Sequence, residues 1–264
     1  VPAISTGRGR QLFGSDPQAY HAVRPDYPDA LYELLVPAPD GAVLEVGAGS
    51  GIVTRRLLEI LESHLLALEP DRRFRPMLEH LSAAHPGRLT VLEEAFETAE
   101  LPLESFGLVV VATAYHWLDP DARAERLRVL LRPGGRVALL WNVFGDPGLA
   151  DPFHDATHAL LGGLAAGPGG TPEEVPFALR RSERQTELAA AGFAEIDYRE
   201  LHWPLSLNPA EVRRLYATFP SVSTLAPKHR DAVLDELARI AAESFGGRVT
   251  RNMTSVGYLF EKRH

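Results

Sequence analysis

Two acids bracket a turn of alternating glycines. Glu45 sits near the end of a short apolar run, two residues ahead of Gly47-Ala48-Gly49-Ser50-Gly51, and Glu69 closes the next apolar run, Leu65-Leu66-Ala67-Leu68. Glycine takes positive φ without a Cβ penalty and lets the backbone come close to a ligand. A helix beginning at such a turn points its first N–H groups at that ligand. A dinucleotide fingerprint needs a small residue at its sixth position, where this chain has Ile52, and a P-loop needs Gly-Lys-Ser/Thr, where it has Gly51-Ile52-Val53. Glu45 would repel a pyrophosphate and welcome an ammonium group. Glu69 falls at about the 20-residue distance where strand-turn-helix folds place a ribose-diol acceptor. Two acids without a basic clamp favour a cationic nucleoside.

His116 is the side chain best suited to acid–base work. It follows the apolar run Leu108–Ala112 in the stretch Thr113-Ala114-Tyr115-His116-Trp117, and an imidazole can serve as a base near neutral pH. The bland reading has it capping a helix or bonding a carbonyl, with Trp117 packed on a sheet. His154 and His158, beside Asp151 and Asp155, stand at i,i+4 spacing. Without a third ligand they read as a polar helix face, and no metal is expected.

These residues need a strand-and-helix scaffold to bring them together. Val53, Leu57, Leu58 and Leu61 form a helical stripe behind the glycine turn. Further strands are expected at Arg88–Leu92, Leu108–Ala112 and Val137–Trp141, the last delivering Asn142 to the same edge to bond substrate or satisfy a turn. Asp119-Pro120 reads as an N-cap and N1 opening a helix that Pro133-Gly134-Gly135 ends. Earlier in the chain, Asp16-Pro17 opens a short helix with Tyr20 and His21, and a second helix with Leu31, Leu34 and Leu35 stops before Pro37. Later, Phe193–Trp203 and Val249–Phe260 read as strands, the second with a break near Arg251-Asn252. Between them run two amphipathic stripes, one of Val212, Leu215, Tyr216 and Phe219 and one of Val233, Leu237, Ile240 and Ala241.

The segments Glu45–Gly51, Leu68-Glu69-Pro70-Asp71, Ala114–Pro120 and Leu131-Arg132-Pro133-Gly134-Gly135, in this order and spacing, resemble the class I S-adenosylmethionine (SAM)-dependent methyltransferases. The resemblance covers roughly residues 17 to 142. Tyr20, Arg24-Pro25, Tyr27-Pro28 and the His116-Trp117 pair are similar to the small-molecule branch known as methyltransferase type 11. The resemblance implies a Rossmann-like α/β fold: a mostly parallel seven-stranded sheet, its last strand antiparallel, with helices on both faces. It implies SAM as cofactor, S-adenosylhomocysteine as product, and in-line methyl transfer to a small-molecule acceptor; oxygen, nitrogen and carbon acceptors stay open, with oxygen slightly favoured because of His116. Cofactor contacts are implied for Tyr20, Arg24, Glu45, Gly47, Ala48, Gly49, Gly51, Glu69, Pro70, Ala95, Phe96 and Thr113. Of these, Ala95 and Phe96 would flank the adenine, with Phe96 equally at home in the core. Arg24 would pair with the methionine carboxylate or else make a surface ion pair. Acceptor contacts are implied for Tyr27, His116, Trp117, Asn142 and Tyr216. Two other classes fit less well: a SAM-binding protein without turnover, and a dehydrogenase, which would have to tolerate Glu45 and Ile52.

Composition sets the remaining bounds. Lys and Arg total 27 against 35 Asp and Glu, a net charge of −8, with no basic run. Nucleic acid is therefore not expected as partner, since phosphate neutralisation by basic side chains supplies most nonspecific affinity. The chain has no cysteine, hence no disulfide framework or thiolate chemistry. No apolar run approaches membrane-spanning length, so a cytoplasmic protein is expected. One domain is expected over residues 1–264: an arm and cover at 1–40, a cofactor core at 41–142, a glycine-broken lid or acceptor insertion at 145–181, and sheet completion with pocket helices at 182–264.

Overall fold

The computed structural model describes residues 17–164 and 175–263. The expected N-terminal arm, with Asp16, and the break at Gly167-Pro168-Gly169-Gly170 lie outside them. Elements in chain order are α1 (Pro17–Val23), α2 (Asp29–Tyr32) with a 3-10 turn (Glu33–Leu35), β1 (Ala42–Val46), α3 (Ile52–Ile60), β2 (Leu65–Leu68), α4 (Arg75–Ala84), β3 (Leu89–Leu92) and β4 (Phe106–Ala112). They continue with α5 (Arg123–Leu130), β5 (Leu131–Phe144), α6 (Pro152–Leu161), α7 (Arg181–Ala190), β6 (Phe193–Leu207), α8 (Pro209–Ala217), α9 (Pro220–Ser223), α10 (Pro227–Glu243) and β7 (Val249–Lys262).

The seven strands form one sheet in the order β3-β2-β1-β4-β5-β7-β6. β1 lies parallel between β2 and β4, with Glu45 opposite Ala67 on one side and Val110 on the other. The last strand is antiparallel. Strand order reverses between β1 and β4, and in open α/β sheets the crevice beyond the carboxyl ends at such a point receives the ligand. β4 follows from its apolar run: Leu108, Val109, Val110 and Val111 are fully buried, as in a parallel strand covered on both faces.

The backbone divides into two compact units. One, the sheet unit, comprises 26–141, 180–200 and 255–264; the other comprises the described parts of 1–25, 142–179 and 201–254. The second unit has its own core of Phe153, Val212, Leu215, Tyr216, Val222, Val233, Leu234 and Leu237. Both stripes read from the sequence contribute to it. Asn208 opens α8 with a reciprocal cap, its side chain accepting from Glu211 N and its own N–H reaching the Glu211 carboxylate.

Several boundaries differ from expectation. The regular helix α5 begins only at Arg123, four residues after Asp119, which caps a turn ahead of it: its carboxylate accepts the Asp121 N–H at 3.1 Å and its carbonyl the Arg123 N–H at 2.9 Å. Pro133-Gly134-Gly135 lies in an irregular start to β5 rather than at a helix end. Phe106 pairs with Leu131 while Leu108 pairs with Arg136, so the extra residues loop out, with Gly134 at φ 70°. β5 runs on to Phe144 and contains Asn142, and β7 passes through Arg251-Asn252 without interruption.

Candidate active site

Gly47, Gly49 and Gly51 all take left-handed φ, at 74°, 55° and 82°. The turn is pinned at its start, where Gly47 N and Ala48 N both donate to Leu68 O at 2.9 and 3.0 Å. A Cβ at Gly47 would lie 2.7 Å from the Ala114 Cβ, whereas one at Gly49 would meet nothing within 4 Å. Space therefore opens beside the middle of the turn, where a ligand would approach.

Glu69, 8% exposed, accepts the Gly49 N–H at 2.7 Å on one carboxylate oxygen and the Asp71 N–H at 2.9 Å on the other. A carboxylate has about four lone-pair sites, so it can hold both N–H groups and still receive a diol. Glu45, 1% exposed, accepts the Thr54 hydroxyl at 2.7 Å from the first turn of α3, with the Thr54 backbone N–H also turned to it. Burial pushes its carboxyl up to about 8; the charge of Glu69 adds to this and the Thr54 bond works against it.

That shift has a stability consequence whose sign is fixed. The folded form holds the Glu45 proton more tightly than the unfolded chain, so its contribution is complete below pH 4.5 and is lost as pH rises through about 8. Glu45→Gln is expected to unfold like the parent at pH 5 and to be the more stable protein at pH 9, by up to about 5 kcal/mol. Urea melts at the two pH values check it; a variant less stable at pH 9 would refute the assignment.

On the other side of β1, Thr113 carries φ 50°, rare for a β-branched residue. Its N–H donates to Leu140 O at 2.7 Å, and its hydroxyl lies 2.6 Å from the Tyr27 hydroxyl. Tyr27 in turn packs edge-on against Tyr32, whose hydroxyl donates to Asp26. Strain of this kind persists where surrounding bonds over-determine it, often at functional sites.

His116 lies in a 3-10 turn (Tyr115–Trp117) and is not suited to the base role expected of it. Trp141 Nε1, which can only donate, gives its hydrogen to His116 Nδ1 at 3.1 Å, so the neutral ring carries its own proton on Nε2. Burial, with Arg123 and Arg184 nearby, lowers its pKa to about 3. Beneath it lies a network absent from the sequence reading. Glu187 accepts from Tyr115 Oη at 2.7 Å and Arg123 Nε at 2.6 Å on one oxygen, with Arg184 Nε 3.2 Å from the other. Trp117 is buried at 6% exposure.

The remaining expected contacts divide. Ala95 O accepts the N–H groups of Thr98 and Ala99, and Phe96 is 3% exposed with the Arg126 guanidinium 5.2 Å from its ring centre. Phe96 is thus largely a core residue, its remaining edge facing a cleft of ≈ 490 Å³ also lined by Glu97, Asp119 and Arg123. Pro70 is exposed. Tyr20, Arg24, Asn142 and Tyr216 belong to the second unit. There, Asn142 Nδ2 donates to Pro25 O at 3.1 Å, which is the backbone-satisfying role. Tyr216 is 2% exposed and its hydroxyl accepts from Arg251, so its place is the core rather than an acceptor wall. His154 and His158 share one face of α6, ring centres 5.9 Å apart, and among the described residues no group of three His, Cys, Asp or Glu is placed to hold a metal. No described helix is long and apolar enough to cross a membrane.

Comparison with known proteins decides what this turn belongs to. Residues 43–135, from β1 through the Pro133-Gly134-Gly135 turn, match the family model described as a methyltransferase domain. Over those residues the chain is similar to a methyltransferase domain. An uncharacterised methyltransferase of Mycobacterium bovis is 40% identical over 132 residues, 49% of this chain and 51% of that protein. The chain thus spans about half the length of the curated relatives it first matches. A solved structure from Anaeromyxobacter dehalogenans, described as a candidate type II methyltransferase, aligns with TM-score 0.63 at 24% identity over 91% of this chain and 97% of that one. Phosphoethanolamine N-methyltransferase 2 of Haemonchus contortus, solved with phosphomonomethylethanolamine and S-adenosylhomocysteine, aligns with TM-score 0.57 at 16% identity, covering 99% of this chain and 61% of that one. At these identities the two structures bear on fold alone. Within the matched residues, Glu45, the glycine turn and Glu69 occupy adjacent strand ends in the sheet unit.

Proposed function

We propose that this protein transfers the methyl group of SAM to a small-molecule acceptor. The observation that carries the reading is the pairing of Glu45 and Glu69 around a left-handed glycine turn with open space at Gly49. SAM, when bound, supplies an electrophilic methyl on a sulfonium. Glu69 suits the ribose diol, and Glu45, a neutral acid below about pH 8 in the free protein, suits the cationic amino-acid end once it gives up that proton, while the turn's backbone approaches without side-chain obstruction.

The state of His116 narrows the acceptor. A ring that stays neutral down to about pH 3 and has its Nδ1 lone pair occupied takes no proton from a nucleophile. The acceptor best served is one already ionised at neutral pH, a carboxylate or acidic phenol, so oxygen remains favoured for a reason other than base catalysis. Positioning and exclusion of water then supply the acceleration.

Titration calorimetry with SAM and with NAD tests the cofactor, SAM binding and NAD failing to bind. Methyl transfer is read by product mass after incubation with SAM and a panel of acids, phenols and amines. The pH–rate profile is expected to show no inflection near 6.5 that disappears in His116→Gln. Such an inflection would restore the base; transfer to amines alone would overturn the acceptor class.

A further inference from the structure

Glu45 is buried where a carboxylate has little support. It stands near the end of β1 between Ala67 of β2 and Val110 of β4, two apolar neighbours. The Thr54 hydroxyl donates to it at 2.7 Å, and the Thr54 N–H is turned to it from the same turn of α3. Two titratable groups share its surroundings. One is Glu69 at the end of β2, whose charge reaches it; the other is Tyr32 of α2, a phenol that donates to Asp26 at 2.6 Å and feels the charge of Glu45 in turn. Among the described residues no cation is set against it. Burial and a like charge both favour the protonated acid, so Glu45 holds its proton up to about pH 8 in the free protein.

Glu69 also ties this acid to the place where a ligand would lie. Its carboxylate holds the Gly49 N–H at 2.7 Å, in the middle of the turn and beside its open space. All of these residues belong to the sheet unit. A cation brought to the turn therefore enters the field that couples the two acids. It offsets their repulsion and gives Glu45 an opposite charge in a weakly screened interior. A neutral group does neither, and leaves the proton where it was.

We propose that Glu45 is a specificity-determining residue that ionises when the ammonium-bearing end of SAM arrives, so that binding SAM releases a proton whereas binding a nucleoside without an amino-acid end releases none. The O–H bond of the carboxyl breaks, its electron pair stays on the oxygen, and the proton passes to solvent. The proposal rests on the functional reading above and adds how the site tells SAM from a fragment of it. Binding rather than turnover tests it, and the two readings can fail separately.

The probes are SAM and 5′-methylthioadenosine, which keeps the adenine, ribose and sulfur but has no amino-acid end. Each is titrated calorimetrically into the full chain and into Glu45→Gln, in buffers of low and high ionisation heat, between pH 5.5 and 7. An α-amino group titrates above that range, at about 7.7–8.0. The parent is expected to release about one proton per SAM, and its SAM affinity to rise about tenfold per pH unit. Methylthioadenosine should release none and bind equally at every pH. Glu45→Gln, of the same shape but unable to ionise, should bind SAM without proton release or pH slope, and should bind methylthioadenosine as the parent does. SAM affinity that is flat with pH in the parent, or a slope that survives in Glu45→Gln, would overturn the proposal and leave SAM as cofactor. Loss of methylthioadenosine binding in Glu45→Gln would overturn it too, by placing Glu45 in the building of the turn. Failure of SAM to bind at any pH would overturn the functional reading and the proposal with it.

Discussion

Glu69→Ala is expected to weaken SAM binding by about a hundredfold or more while leaving the protein folded. The estimate comes from the bonds at stake. A carboxylate accepting two hydroxyls makes two charge-assisted hydrogen bonds, each worth about 1.5–3 kcal/mol, and every 1.4 kcal/mol is about tenfold in affinity. A second loss compounds the first, because Glu69 also holds the Gly49 and Asp71 N–H groups, so without it the turn must be ordered as SAM binds. Glu69→Gln separates the two effects: it keeps an acceptor for a backbone N–H but removes the charge, and should fall between parent and alanine variant. Calorimetric titration reads all three proteins. Parent-like SAM affinity in Glu69→Ala would remove the carboxylate from the site and with it the reading of the glycine turn.

A large loss of stability is expected at Glu187. Arg123 and Arg184, 6% and 4% exposed, both lean on this one carboxylate, and the Tyr115 hydroxyl donates to it as well. Glu187→Ala takes the shared carboxylate from two buried guanidinium groups, leaving Arg184 its longer contact with Glu183 at 3.5 Å. Removing one partner of a buried ion pair typically costs about 3–5 kcal/mol. For a chain of this size that corresponds to a fall in thermal midpoint on the order of 10 °C, read by calorimetry. The buried charges rather than the missing side-chain volume are the cause, so Arg123→Met combined with Glu187→Leu should recover much of the loss. A double variant as unstable as Glu187→Ala would place the cost in packing.

What could be read from residue order alone follows physical lines. The glycine turn, its flanking acids and the strand at Leu108 are local features: φ preference, strand-end position and an unbroken apolar run are visible within a few residues. The protonation state of His116 is not. It depends on Trp141, 25 residues away, and on Arg123 and Arg184, which arrive from two helices. Arg24 was visible as an arginine, but the Phe144 and Phe219 rings that flank its guanidinium come from β5 and from the chain after α8. The helix expected at Asp119-Pro120 starts only at Arg123, after a turn that Asp119 caps, a displacement of a boundary that residue types alone do not fix. The Thr54 hydroxyl on Glu45 had no sequence signal, because strand and helix meet there only through the geometry of the turn.

The left-handed backbone at Thr113 bears on how this protein can change over generations. A residue held against its own preference is an easy place to gain stability, since glycine would adopt the same φ without strain. Selection for heat resistance alone would be drawn to that substitution. Glycine would also forfeit the hydroxyl that meets Tyr27, and with it the clasp fixing the carboxyl end of β4. If the crevice works as proposed, robustness and turnover pull in opposite directions at this one codon, and threonine marks where the compromise was struck.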